Sequence, residues 1–426
     1  MSKAYPTYKD SGIEWLGQIP THWDLLRNKI FITERDNVVG QDAYKYTLLS
    51  LTKQGVIQRD IESGKGKFPK EFDNYKIVES GNIIFCLFDV DETPRTVGLS
   101  SIDGMITGAY NVFSIKGINS QFYYYYFLAV DEAKALRPLY SGLRKVVKTE
   151  RFAGLRIPVP PEEEQRQIVA YLDYKSNKIN ERICQREREL QTLSELKQAE
   201  IAAVVTRGLD PNVPMKESGI EWLGKIPAHW EVRKIKNCLQ ERSEKGYPNE
   251  PILCATQSRG VIPQDMYDNR VVVVNKDFDK LKLVKSGDFV ISLRSFQGGI
   301  EYAYYQGIIS AAYTILTPKD KRNSEYFKHL FKSHDFIQLL QTCVTGIREG
   351  QNINYAMLAK HFIPIPPIEE QQKIVLYIKN RLYVIDEYIA KLKAEINYLQ
   401  EYKQRLISDV VTGKVDVRRV EIPSKE

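Results

Sequence analysis

Cysteine is sparse in this chain, with five residues (Cys86, Cys184, Cys238, Cys254 and Cys343) scattered over 426 positions and no CxxC pair. An odd number at such spacings argues against a disulfide framework and a zinc ribbon. Five equally dispersed histidines offer no local ligand cluster, so no metal is expected. Apolar runs are short: the longest, residues 123–130 (YYYYFLAV), is well below the ~18 residues that span a bilayer. The first ten residues are polar and no apolar signal-peptide core follows them, so a cytoplasmic protein is expected. A GxxxxGK[ST] phosphate loop is missing, and so is an Asn/Asp-Pro-Pro-aromatic motif. Neither an ATP-driven motor nor a self-contained methyltransferase is therefore expected. Charge of one sign is only mildly in excess, at +7 from 61 basic and 54 acidic residues. That balance is compatible with a polyanionic partner but does not require one.

What the chain has in abundance is itself. Residues 10–23 (DSGIEWLGQIPTHW) return as residues 217–230 (ESGIEWLGKIPAHW), identical at eleven of fourteen positions. An ordered series of echoes follows: 51–57 (LTKQGVI) with 255–262 (ATQSRGVI), 80–84 (SGNII) with 286–290 (SGDFV), and 142–144 (GLR) with 346–348 (GIR). Later, 157–161 (IPVPP) with Glu164-Gln165 matches 363–367 (IPIPP) with Glu370-Gln371, and 204–206 (VVT) matches 410–412. A period above 200 residues means a duplicated domain pair and not a solenoid. Between these anchors the copies diverge, so one scaffold carries two different surfaces.

Within each copy, short β-prone runs bounded by glycines (45–51, 83–88 and 110–115; then 270–274, 288–293 and 312–316) precede a helix from Ser120 or Ser324. This predicts a mixed α/β (α+β) globular domain. The run of four tyrosines from Tyr123 reads as one buried helix face and not as a base-stacking platform, because copy two has Tyr326-Phe327-Lys328-His329 there.

After each Pro-Pro pair the character changes. Residues 162–206 and 368–412 contain no proline or glycine, open with acidic residues and are followed by Gly208 and Gly413. Each predicts one long helix with a dipole-matched start and a glycine stop. An apolar stripe runs along the first through Ile168, Leu172, Ile179, Ile183, Leu190, Leu193, Leu196 and Val204. The second repeats it 206 residues later through Ile374, Ile378, Ile385, Ile389, Ile396, Leu399, Tyr402 and Val410. Such a narrow stripe predicts a coiled-coil seam and not one side of a wide globular core. Lys175, Arg186 and Arg381 fall on or beside it. The economical solution pairs the two helices antiparallel. The predicted division is 1–161, 162–208, 209–367, 368–413 and a tail, 414–426.

This order of domain, PPxxEQ helix, domain, PPxxEQ helix resembles the specificity subunit of type I restriction–modification enzymes over essentially the whole chain. The SGIEWLG segments at Ser11 and Ser218 resemble the start of that family's target recognition domains. The resemblance implies a non-catalytic subunit that binds double-stranded DNA, each recognition domain reading one half of a split, asymmetric site. It implies that the helices set the gap and dock two methyltransferase (modification) subunits, that restriction/motor subunits join, and that S-adenosylmethionine and ATP are used by those partners. The Arg/Glu-rich stretch 181–189 suits helix docking.

Base edges are read by Arg, Lys, Asn and Gln, so the candidates are polar stretches where the copies differ. In copy one these are Lys53, Gln54, Arg59, Arg95, Thr96, Arg144, Lys145, Lys148 and Arg151. In copy two they are Gln257, Ser258, Arg259, Arg294, Ser295, Gln297, Arg348, Gln351 and Asn352. Arg144 and Arg348, each in a matched Gly-x-Arg, are expected to hold phosphate. His22 and His229 recur without a shared nucleophilic partner and read as packing beside Trp23 and Trp230. Two rival classes remain at this point: a coiled-coil scaffold with protein-binding ends, and an enzyme.

Overall fold

The computed structural model describes residues 4–59, 72–142, 145–267, 277–293, 295–345 and 352–423. The chain divides into two compact units, Met1–Arg186 with Ala394–Glu426, and Glu187–Lys393. Each unit holds one globular module and a stretch of both long helices.

The duplication in sequence is a duplication in topology. The first module has a four-stranded antiparallel sheet in the order Ile32–Glu34, Asn111–Ile115, Ile83–Phe85, Val97–Leu99. The second repeats it as Leu239–Arg242, Thr314–Pro318, Phe289–Ile291, Glu301–Tyr302. All strand pairs between named strands are antiparallel, so the mixed α/β expectation resolves to the α+β form. The strand expected at residues 270–274 lies outside the described residues. The helix Ser120–Glu132 is capped by the Asn119 side chain, which accepts from the backbone N–H groups of Gln121 and Phe122. Tyr123, Tyr125 and Tyr126 are buried on it, and Tyr123 donates to Asn28 Oδ1 at 2.8 Å. Desolvation pushes the Tyr123 hydroxyl far above its usual proton affinity, which makes it a buried structural donor and no surface for bases.

The long helices are Glu162–Arg207 and Ile368–Val411, each on the order of 70 Å at ~1.5 Å per residue. In the first unit Arg182 meets Glu395 at 3.1 Å and Asn180 meets Lys403 at 2.8 Å. In the second, Lys197 meets Asp386 at 2.6 Å and Glu200 meets Arg381 at 2.8 Å. Numbers rise on one helix as they fall on the other, so within each unit the pairing is antiparallel. Arg186 pairs with Glu395 at 3.0 Å.

The seam departs from the predicted stripe in three ways. Ile168, Leu172, Ile179 and Val410 belong to the first module's core, and Val204, Ile374 and Ile378 to the second's. The helix ends thus do pack against a wide core, because the sheet and the Ser120 and Ser324 helices present apolar faces to them. Between those ends Ile385 and Ile396 are buried, while Leu190, Leu193 and Leu399 are half-buried. Leu196 and Tyr402 are exposed; Leu392 is buried on the paired stretch, and Leu406 and Ile407 join the first module's core. A rigid 206-residue offset cannot hold both stripes in register once the paired segments differ.

The recurring motifs meet at the helix starts. Strand Asp24–Arg27 pairs with Arg156–Val159, bringing Trp23 beside the Pro-Pro pair. Glu164, with 5% of its side chain exposed, then accepts from Trp23 Nε1 at 3.0 Å and Tyr5 Oη at 2.5 Å, and bonds His22 Nε2 at 2.8 Å. Gln165 takes Asn119 N at 2.9 Å and gives to Pro160 O at 2.8 Å. In copy two His229 joins Glu370 at 2.7 Å and Gln371 gives to Pro366 O and Asn323 Oδ1. The recurring histidines are therefore exposed tethers to the helix, each bonded to a glutamate, and His22 lies against the Tyr5 ring at 5.7 Å.

Candidate nucleic-acid interface

In the first module Lys53 and Gln54 form the exposed turn between Leu49–Thr52 and Gly55–Gln58. Thr52 Oγ1 closes it, accepting from Gln54 N at 3.2 Å and donating to Gly55 O at 3.0 Å. This hairpin lies against strand Val97–Leu99, where a Cβ on Gly98 would sit 2.6 Å from Leu51 and 2.7 Å from Val56. Glycine there lets the hairpin approach the segment carrying Arg95 and Thr96. Arg59, half-buried, follows the second strand, its backbone N–H bonded to Leu48 O.

Residues 86–96 in turn touch the next candidate group. Val147 N donates to Leu87 O at 2.8 Å, and Lys145 Nζ lies 3.5 Å from Asp91. Asp91 also collects Arg137 Nε at 2.6 Å and Tyr140 Oη at 3.0 Å, and the Arg137 guanidinium leads the effects that lower the carboxyl's pKa. Lys148 and Arg151 are exposed beyond them, Arg151 donating to Leu139 O at 3.4 Å. Arg95 is half-buried with its Nε buried and unpaired among the described residues. Arg144 lies outside the described residues.

The second module brings its groups together by different means. Turn residues Gln257, Ser258 and Arg259 are exposed between Leu253–Thr256 and Gly260–Pro263. Thr256 Oγ1 accepts from Arg259 N at 3.0 Å, and Arg259 donates to Met266 O at 2.9 Å. The Gln257 side chain lies over Gly298, whose added Cβ would be 2.9 Å from Gln257 Cδ. Gly298 ends the short helix Ser295–Gly298, which presents Gln297 to solvent and adjoins strand Asn352–Ile353 with its exposed Asn352. Arg294, Arg348 and Gln351 lie outside the described residues.

Two candidates are corrected. Thr96 is 1% exposed and its backbone N–H donates to Asp131 Oδ2 at 3.0 Å. Ser295 is fully buried, its Oγ accepting from Ser292 N at 2.8 Å as the start of the short helix. Neither side chain can present itself to a base edge: the Ser295 hydroxyl is engaged in starting the short helix, and Thr96 is held from its backbone with its side chain buried. Lys134, Lys332 and Arg137, which anchor these loops, had no signal in the sequence, and Glu164 and Glu370 stood out there only by recurring in both PPxxEQ motifs, without a role.

The surface so assembled is a set of donors and acceptors on turns, held by a rigid antiparallel frame. It can recognise a patterned polar surface. Among the described residues no group of three or more His, Cys, Asp and Glu could hold a metal ion, and no helix is long and apolar enough to cross a membrane.

Comparison with known proteins agrees with this anatomy. Residues 31–190 and 227–398 match the type I restriction modification DNA specificity domain. The chain is 22% identical over 435 residues to a putative type I restriction enzyme MjaX specificity subunit of Methanocaldococcus jannaschii, covering 95% of this chain and 96% of that one. It is 24% identical over 293 residues to the MjaVIII specificity subunit of the same organism, covering 63% and 64%. A chain solved in work on complex assembly and conformational transition of the type I R-M system shares the fold, with a TM-score of 0.61 at 16% identity, covering 92% of this chain and 98% of that one. With the family match repeated once per module and spanning most of the sequence, this chain belongs to the type I restriction–modification DNA specificity family.

Proposed function

We propose that this chain is the non-catalytic, sequence-specific DNA-binding subunit of a type I restriction–modification complex. Each module reads one half of a bipartite, asymmetric site. The observation that carries this reading is a single frame used twice with unlike exposed polar turns, Lys53-Gln54 in one copy and Gln257-Ser258-Arg259 in the other. Identical frames with unlike tips suit an unlike pair of half-sites. The long helices set the gap and dock two methyltransferase subunits, which use S-adenosylmethionine; ATP-driven restriction subunits complete the assembly. Two-part readers couple half-site separation to protein geometry in just this way.

Mapping methylated bases in cells with and without this chain tests the reading. Loss of methylation at one bipartite sequence on deletion is the expected result. Unchanged methylation, with the modification subunits present, would overturn it.

A further inference from the structure

Beside the candidate recognition turns, each module pairs a buried acid with a half-buried lysine, and the pair grips loop backbone. In the first, Asp131, 4% exposed on helix Ser120–Glu132, accepts from Thr96 N at 3.0 Å and from Lys134 Nζ at 3.0 Å. Lys134 Nζ also donates to Thr93 O at 3.2 Å, so both flanks of Arg95 are held. Lys134 does this from a left-handed backbone, φ 47°, a conformation that residues other than glycine seldom adopt.

In the second module the acid has moved to the sheet. Glu301, 1% exposed on strand Glu301–Tyr302, meets Lys332 Nζ at 2.6 Å. The same ammonium donates to Gly298 O at 2.8 Å and Gln257 O at 3.5 Å, which uses all three of its donors. It thereby ties the short helix bearing Gln297 to the turn bearing Gln257. The lysines are not sequence equivalents: Lys134 stands fourteen residues after Ser120, whereas Lys332 stands eight after Ser324. Each brace belongs to its own loops and not to the shared frame.

We propose that Lys134 and Lys332, seated by Asp131 and Glu301, are positioning residues for DNA reading, each fixing its module's loops in the one arrangement that matches that module's half-site. This rests on the function proposed above. Base readout requires side chains held to within about 0.5 Å, and a half-buried lysine paired with a buried carboxylate, the two together bonded to loop backbone at two points, leaves those segments little freedom. Neither acid is accessible enough to touch DNA itself.

The test uses the full chain to select from random double-stranded DNA, with thermal unfolding monitored alongside. Lys134→Met should relax the first half-site at least tenfold and leave the second unchanged; Lys332→Met should do the reverse. Lys134→Arg and Lys332→Arg, which keep the charge and its reach, should restore most of the discrimination. A general structural defect would instead weaken both half-sites together. If a methionine variant fails to fold, Asp131→Asn and Glu301→Gln address the same brace and should relax the same half-site. A folded methionine, Asp131→Asn or Glu301→Gln variant that keeps both half-sites at wild-type discrimination overturns the inference. Wild-type protein that enriches no sequence overturns the function on which it rests.

Discussion

Glu164 accepts a hydrogen bond from Trp23 Nε1 at 3.0 Å, whereas the equivalent Trp230 Nε1 lies buried with no hydrogen-bond partner among the described residues. The two motifs are nearly identical, yet only the first is fully satisfied. In the first, Tyr5 donates to the same Glu164 oxygen and packs edge-on against Trp23 at 5.8 Å; residue 212, at its place in the repeat, is asparagine. Arg418 lies over the Tyr5 ring at 4.9 Å, so the C-terminal tail completes the cluster in the first module.

The copies should therefore differ in tolerance at this glutamate. Glu164→Ala strands two buried donors at once, Trp23 Nε1 and Tyr5 Oη, and should cost on the order of 3 kcal/mol. Glu370→Ala removes a carboxylate that is 25% exposed and should cost less than half as much. Thermal unfolding of the two variants, side by side, measures the difference.

Glycine at the helix ends should be similarly graded. Gly413 and Gly208 are both left-handed, at φ 77° and 79°. A Cβ on Gly413 would meet Pro20 Cδ at 2.3 Å, while one on Gly208 would meet the flexible Glu370 Oε1 at 3.0 Å. Gly208→Ala should cost about 1 kcal/mol from backbone strain alone. Gly413→Ala should cost more than twice that, because a proline ring cannot yield. Denaturant midpoints would show it.

Glu301 gives the second module a pH dependence. Burial pushes its carboxyl up to about 7, outweighing the nearby Lys332 ammonium. With a raised folded-state value, the native state holds a proton that the unfolded chain has already lost between the ordinary carboxylate range and neutrality. The group's destabilising contribution is thus greatest above pH 7 and fades as pH falls through that window. Between pH 7 and 5 it should raise stability by on the order of 1 kcal/mol per pH unit as pH falls. Comparing the wild type with Glu301→Gln across that range isolates the effect; parallel curves would refute it.

Exposed candidates should separate by role in binding assays. Gln297→Ala should relax the second half-site at one or two bases, with a loss of roughly 1–3 kcal/mol on the preferred sequence. Lys148→Ala and Arg151→Ala should weaken all sequences alike and reduce the salt dependence of the affinity by about one phosphate contact each. Selection from random DNA at two salt concentrations distinguishes the patterns.

Much of this architecture was legible in the residues. The duplicated motifs, the two helix stretches without proline or glycine and the glycine stops all act locally, through dihedral preference, capping and apolar periodicity. They gave the order of module and long helix, the long-helix bounds to within a residue or two and the antiparallel pairing, but only a few of each module's strands. Recognition-loop candidates were legible only as polar, divergent stretches. Polar sequence does not distinguish an exposed reader from a buried hydrogen-bonding group, so Thr96 and Ser295 were misjudged. Only the tertiary structure decided that the helix ends join the module cores, that Leu392, Leu406 and Ile407 face inward while Tyr402 does not, and that Lys134 and Lys332 hold the loops. Apart from the Asp131–Lys134 pair itself, three residues apart, those outcomes depend on contacts between residues tens to hundreds of positions apart, which no local pattern encodes.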